Sequence, residues 1–529
     1  MVVLQNVSYI HPGKDLLFEN INLTINKHDK VALIGNNGVG KSTLLKIIAG
    51  ALKPSRGTVI LGTRPYYIPQ LFGQFNEFSI AEVLNVKDKL KALKEILDGK
   101  MNETNLAQLG DDWAIEERCE EALAHWQLDG LDLKQKLGTL SGGQKTKIFL
   151  AGISIHQPRL VLMDEPGNHL DTQGRHLLND FVQTTSCTLV MVSHDRKLLD
   201  LVHPMYELSR QGITIYGGNY HFYAAQKTIE NKALNENIRS KESMLRKAKE
   251  IARKTVEKKQ KRDARGKKKQ AKAGLPAVAM NALKNKAEKG TAQIKGIHAE
   301  KVGSIRRELT LLRRELPGVD KMKFGFNDSA LHHGKVLVHL KNVNFGYSHE
   351  QLWKQPVSFM IKSGERMAVR GANGSGKTTL MKIILGKIKP QSGSVWKADA
   401  KAVYIDQDYS LIDDTSTVFE QVQRFNSTFL QEHEIKIRLN RFLFVKDYWD
   451  KPCSVLSGGE KMRLMLCSLN IANQAPDMII LDEPTNNLDI QNMEILTAAL
   501  IEYRGTLVVI SHDEYFLEQI NVNRTLDLM

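Results

Sequence analysis

Runs of consecutive aliphatic residues mark both ends of this chain, separated by stretches in which apolar residues recur every three or four positions. "KVALIG" (30–35), "LVLMD" (160–164) and "MIILD" (478–482) are apolar almost throughout, the pattern of strands covered on both faces. "KSTLLKIIAG" (41–50) opens a helix directly after a glycine-rich turn. Strands alternating with helical segments predict an α/β fold, a mostly parallel sheet flanked by helices.

The middle of the chain reads differently. From Lys227 to Ala273 there is no proline and Gly266 is the only glycine, so a helix of about 47 residues, roughly 70 Å long, is predicted. A second helical stretch runs from about Asn281 to Leu316, where "PGVD" stops it. Pairing Leu234 with Leu316, Ile238 with Leu312, Leu245 with Ile305 and Val256 with Ile294 centres every pair on Leu275. An antiparallel helical hairpin follows, with its tip at "AGLPAVAM" (273–280), where Gly274 and Pro276 turn the chain.

On either side of the hairpin the sequence repeats. "VALIGNNGVGKSTLLKIIAG" (31–50) returns as "MAVRGANGSGKTTLMKIILG" (367–386), "LSGGQ" (140–144) as "LSGGE" (456–460), and "LVLMDEPGNHLD" (160–171) as "MIILDEPTNNLD" (478–489). "MVSHD" (191–195) returns as "VISHD" (509–513). The offset is 336 at Lys41/Lys377, 337 at Gln70/Gln407, 316 at Ser141/Ser457 and 318 at Asp164/Asp482, so the first copy holds about twenty extra residues, placed in 87–113. The predicted domains are 1–223, 224–325 and 326–529.

The glycine-rich turn at each strand-to-helix junction suits phosphate: its backbone N–H groups converge on anionic oxygens and the helix N-terminus adds partial positive charge. In the first copy the loop comprises Gly35, Asn36, Asn37, Gly38 and Gly40, followed by Lys41, Ser42 and Thr43. In the second it comprises Gly371, Ala372, Asn373, Gly374 and Gly376, followed by Lys377, Thr378 and Thr379. The lysines reach the β and γ phosphates of a nucleotide, and the Ser42 and Thr378 hydroxyls hold Mg²⁺. Asp164 and Asp482, at the end of a buried strand, serve the metal; Glu165 and Glu483 serve the attacking water. His194 and His512 end the next strand, placed to contact the γ-phosphate.

Charge separates the hairpin from the rest. Residues 227–316 hold 27 Lys and Arg against 10 Asp and Glu, a net +17, so the remainder of this +15 chain is slightly acidic. Such concentration points to a polyanionic partner. It peaks at Lys258, Lys259, Lys261, Arg262, Arg265, Lys267, Lys268, Lys269 and Lys272, where no apolar stripe is left for self-packing. The alternative is a solvated spacer. Cys119, Cys187, Cys453 and Cys467 lack metal-ligand spacing and read as reduced thiols of a cytoplasmic protein. No apolar run is long enough to span a membrane.

Two sets of P-loop, LSGG, Asp-Glu and His switch resemble a pair of ATP-binding cassettes of the ABC superfamily. That resemblance implies a head-to-tail pairing of the two cassettes. Gly35–Thr43 would then face Ser457, Gly458, Gly459 and Glu460, and Gly371–Thr379 would face Ser141, Gly142, Gly143 and Gln144. It adds Gln70 and Gln407 to the Mg²⁺ set, and an adenine-stacking aromatic about 24 residues before each P-loop. Tyr347 fits in the second copy; the first offers His11 or Tyr9. Gly167 stands where the second copy has Thr485, with no predicted consequence.

Tandem cassettes joined by a basic helical linker are similar to the ABC-F family of ribosome-associated ATPases. The family resemblance implies a monomer that binds the ribosome in its ATP-closed state, with the linker reaching the P-site tRNA and peptidyl-transferase region. The small apolar tip, Leu275, Pro276, Val278 and Met280, is either a permissive turn or a wedge that would enter the RNA cavity. The short first-copy insertion and the chain end at "LDLM" favour the kind that protects ribosomes from antibiotics. A housekeeping factor that relieves stalled ribosomes is the first alternative, and an ATPase subunit of a membrane transporter the second. A DNA-repair-like ATPase would need zinc-binding cysteines or a much longer coiled coil.

Overall fold

The computed structural model describes the chain except for residues 14–15, 273–276, 316–321, 323–331, 348–350, 428, 473, 487 and 529. Of residues 263, 266–272, 277–288, 291, 294 and 314–315 only the backbone is described. The chain divides into two compact units, Met1–Tyr223 with Met322–Met529, and Ala224–Lys321.

In the first unit each sequence copy builds its own sheet. The first copy has six strands in the spatial order Tyr66–Ile68, Leu160–Asp164, Thr188–Val192, Lys30–Ile34, Met205–Ser209 and Gly212–Tyr216. All neighbours are parallel except the last pair. The second copy has five parallel strands in the order Ala402–Ile405, Met478–Asp482, Thr506–Ile510, Arg366–Gly371 and Arg524–Leu528. Leu160–Asp164, Thr188–Val192, Met478–Asp482 and Thr506–Ile510 are buried at every residue, as their unbroken apolar runs require. The carboxyl ends of these central strands deliver Asp164, Asp482, and the turns bearing His194 and His512, to one edge of each sheet.

Each copy also carries an antiparallel three-stranded sheet that the sequence pattern does not announce. It is Leu16–Ile25, Val2–Ile10 and Arg56–Leu61 in the first copy, and Val357–Lys362, Val336–Asn344 and Ser392–Lys397 in the second. Phe18, Ile21 and Leu4 of this layer join Leu44, Leu45 and Ile48 of the P-loop helix and Leu33 and Val190 of the parallel sheet in one core. The helix that follows the phosphate loop is thereby clamped between two sheets. The extra residues of the first copy form the helices Lys87–Leu97 and Glu103–Leu109.

The second unit consists of two helices, continuous in backbone with Tyr220–Lys272 and Ala277–Glu315. The first starts earlier than its charge pattern suggests: Asn219 Oδ1 accepts from the Phe222 N–H at 3.2 Å, and "YHFYAAQK" contains no breaker. Within the unit Lys241 pairs with Glu308 and Arg313 with Glu242, which fixes an antiparallel arrangement. Ile238 and Leu309 are buried on its seam. Leu275 and Pro276 lie outside the described residues, as do the side chains of Val278, Met280 and Ile294.

Candidate nucleotide sites and basic hairpin

Gly40 caps the first P-loop helix with φ 105°, and a Cβ there would meet Leu17 Cδ2 at 2.7 Å. Both facts demand glycine. Lys41 folds back over the loop, its Nζ donating to the carbonyls of Gly35 at 2.6 Å and Asn36 at 3.3 Å. Lys377 repeats this with Gly371 at 2.7 Å and Ala372 at 3.1 Å. Burial lowers the pKa of both ammonium groups, and nearby carboxylates partly offset it.

Around the first loop lies a cavity of about 370 Å³. It is lined by Asn37, Gly38, Gly40, Lys41, Ser42 and Thr43, by Gln70, Asp164, Glu165 and His194, and by His11 and Leu17. Ser457 of the second copy closes it. Of the two aromatic alternatives, His11 lines the cavity while Tyr9 packs on Phe18, ring centroids 6.3 Å apart, at the edge of the core. Tyr347 is exposed beside the second loop, its hydroxyl 3.0 Å from Thr379 Oγ1.

The copies interlock at both loops. The Asn37 N–H donates to Asp489 Oδ2 at 2.7 Å, and Asn373 Nδ2 donates to the His169 carbonyl at 2.8 Å. Gly143 approaches Asn373 so closely that a Cβ would sit 2.9 Å from Asn373 Nδ2. Ser141 and Ser457 cap the helices Gly142–His156 and Gly458–Ile471. The side chains of Gln144 and Glu460 close each capping box on the serine N–H, at 3.0 Å and 2.9 Å. A Gln or Glu at the last position of each motif has a structural cause.

Ser42 Oγ donates to Asp164 Oδ1 at 3.0 Å and Thr378 Oγ1 to Asp482 Oδ2 at 2.9 Å. Each pair is a hard-oxygen set of the kind Mg²⁺ takes together with phosphates and water. Among the described residues no group of three or more His, Cys, Asp or Glu is placed to hold a metal ion, so these residues offer no closed metal cage. Gln70 lines the first cavity; Gln407 sits in the exposed turn after Ala402–Ile405. Two partners of the aspartates go beyond the motifs read from the sequence. Tyr67 OH donates to Asp164 Oδ2 at 3.3 Å and Tyr404 OH to Asp482 Oδ2 at 2.8 Å. Their offset of 337 matches Gln70/Gln407, a signal present in "YYIPQ" and "VYIDQ".

Glu165 and Glu483 adopt left-handed backbone, φ 53° and 48°, rare for this residue type. Burial pushes their carboxyls up to about 8 and about 7, opposed at Glu165 by Lys41 and at Glu483 by Arg175 and then Lys377, with the neighbouring aspartate adding in both. His194 Nε2 lies 3.3 Å from Glu165 Oε1, and His512 Nε2 lies 3.4 Å from Glu483 Oε1. Both imidazoles are held neutral by burial, His512 down to about 4. Glu165 Oε1, His194 Nδ1, Glu483 Oε2 and His512 Nε2 are buried atoms without a hydrogen-bond partner, capacity open to an incoming oxygen.

Along the first hairpin helix two ion pairs stand directly before the densest run of cations. Lys254 pairs with Glu250 at 2.6 Å and Arg253 with Glu257 at 2.8 Å. Beyond them Lys258, Lys261, Arg262 and Arg265 are exposed and Lys259 half-buried; among the described residues none of the five forms an ion pair. Lys267, Lys268, Lys269 and Lys272 continue the helix with only backbone described.

No helix among the described residues is long and apolar enough to cross a membrane. All four cysteines are free thiols, with Cys119, Cys453 and Cys467 buried. The ABC transporter family profile matches residues 18–168 and 354–486. "ABC transporter F family member 5" of Arabidopsis thaliana is 30% identical over 100% of this chain and 75% of its own. "Probable ATP-binding protein YbiT" of Escherichia coli O157:H7 is 30% identical over 98% and 94%. Among solved structures, the archaeal ribosome recycling factor aABCE1, in complex with the ribosomal stalk protein aP1, superposes with a TM-score of 0.59 at 19% identity, over 97% of this chain and 86% of that one. This chain belongs to the F family of the ABC transporters and is a tandem-cassette ATP hydrolase.

Proposed function

We propose that this ATPase is a ribosome factor, whose two ATP sites close the cassettes on each other and whose hairpin acts near the P-site tRNA and peptidyl-transferase centre. The observation that carries it is the density of free charge from residue 258 on: five of the eight residues 258–265 are Lys or Arg, four of them exposed, and among the described residues none of the five forms an ion pair. Unpaired cations on a helix that lacks its own apolar stripe suit a phosphate backbone. That the F-family fold is shared with a ribosome recycling factor is in keeping with this reading.

At each site, in this reading, the loop amides and Lys41 or Lys377 hold the β and γ phosphates, with Ser141–Gln144 or Ser457–Glu460 of the other cassette covering them. Ser42 with Asp164, and Thr378 with Asp482, hold Mg²⁺, which when bound neutralises charge on the phosphates. Glu165 or Glu483 takes the proton of the attacking water, and His194 or His512 steadies the γ-phosphate. Tyr67 and Tyr404 fix the aspartates. Exchanging both tyrosines for phenylalanine should raise the Mg²⁺ concentration for half-maximal turnover by about tenfold or more, read by titrating Mg²⁺ against phosphate release. A curve that does not move removes the tyrosines from this role.

The test of the whole is co-sedimentation of the E165Q/E483Q variant with purified ribosomes. ATP should drive it into the ribosome pellet; equal association with and without nucleotide overturns the reading. We assign the protein to the antibiotic-protecting kind, because its first-cassette insertion is only about twenty residues. Expression should then raise tolerance to drugs of the peptidyl-transferase region and removal of 273–280 should abolish it; unchanged tolerance across such a panel leaves the housekeeping role.

A further inference from the structure

The two ATP sites share their motifs but not the residues that the opposite cassette lends them. The helix Thr172–Thr184 of the first cassette begins beside the second site, and Thr172 Oγ1 lies 3.0 Å from His512 Nδ1. At the same offset as Asp164/Asp482, Thr172 corresponds to Ile490, the first residue of the helix Ile490–Glu502. Isoleucine has no hydroxyl to offer, and His194 Nδ1 is indeed buried without a hydrogen-bond partner. Asp171 and Asp489 cap the two helices alike, at 2.8 Å to the N–H of Gly174 and of Asn492, so the frames match and only the side chain differs.

A neutral imidazole carries one N–H and one lone pair, and the bond made by one nitrogen selects the role of the other. Nε2 of His512 faces Glu483 Oε1 at 3.4 Å, the side on which a phosphate oxygen would need a donor. A Thr172 hydroxyl donating to Nδ1 places the proton on Nε2. Without that bond the same tautomer leaves a buried lone pair unsatisfied, and the ring is free to hold the proton on the wrong nitrogen. We propose that Thr172 is a positioning residue acting across the cassette interface, which sets the tautomer and orientation of His512 and makes the second ATP site, that of Lys377 and Glu483, the faster of the two. This rests on the reading of His512 as a γ-phosphate contact.

The sites are separated by single variants: E165Q leaves the second site to turn over, E483Q the first. In the E165Q background T172V should lower kcat roughly three- to tenfold with little change in KM, the effect of removing one hydrogen bond. T172S, which keeps the hydroxyl, should restore it. The loss should exceed that in the E483Q background at least threefold, and I490T in the E483Q background should raise turnover. Equal losses in the two backgrounds, or a serine that fails to rescue, make Thr172 a general interface residue and overturn the proposal. Turnover in an E165Q/E483Q double variant as fast as in the unaltered chain signals instead that the reading of the glutamates has failed, and the proposal falls with it.

Discussion

Exchanging Glu165 and Glu483 together for glutamine lowers ATP turnover by about 10²–10⁴-fold while nucleotide still binds, the loss expected when a positioned general base is removed. The backbone explains why so small a change acts so strongly. Each glutamate follows the last residue of a fully buried strand, and its N–H donates to a carbonyl of the adjacent strand, Val192 or Ile510, at 2.9 Å. Left-handed φ at a glutamate costs on the order of 1–3 kcal/mol and persists only where surroundings enforce it. Glutamine fits the same backbone and volume, so the frame survives while the proton acceptor is lost. Phosphate release from the double variant, beside a filter assay for bound ATP, checks both halves. Turnover within threefold of the unaltered chain would remove the two carboxylates from the chemistry.

The α/β fold and its duplication were legible because the phosphate loop, the buried strands and the LSGG motif are local patterns, each printed twice. The antiparallel layers were not. In Val2–Ile10 and Leu16–Ile25 the register shifts between Leu4 and Val7 and again at Tyr9, so apolar and polar positions lose the strict alternation that marks a strand. The hairpin was legible from helical spacing and the absence of breakers, yet its start near Tyr220 was hidden because "YHFYAAQK" lacks the charge by which the segment was delimited. Tyr67 and Tyr404 could have been found, since they repeat at the offset of the neighbouring glutamines. Thr172 could not. Its meaning lies in a hydrogen bond with His512, 340 residues away, and no periodicity along a chain encodes what the opposite cassette brings to a site.

Replacing Lys258, Lys261, Arg262 and Arg265 by glutamine weakens ribosome binding by about a hundredfold or more and flattens its salt dependence. Each phosphate that is no longer neutralised takes up to ~0.9 from the slope of log affinity against log salt, so four such phosphates lower it by up to ~3.6. The neighbouring pair Arg253 and Lys254 is the internal comparison. These cations already have carboxylate partners in Glu257 and Glu250, so their exchange for glutamine subtracts charge that is partly neutralised and changes the slope less. A passive spacer makes the opposite forecast, that all six positions are equivalent and neither exchange matters. Measuring the affinity of both sets of variants at several salt concentrations decides between the two, with ATP turnover in the absence of ribosomes confirming that the cassettes remain intact. Since glutamine keeps the helix and most of the side-chain length, a difference between the two sets reports that the free cations of 258–265, rather than the charge of the hairpin as such, meet a polyphosphate surface.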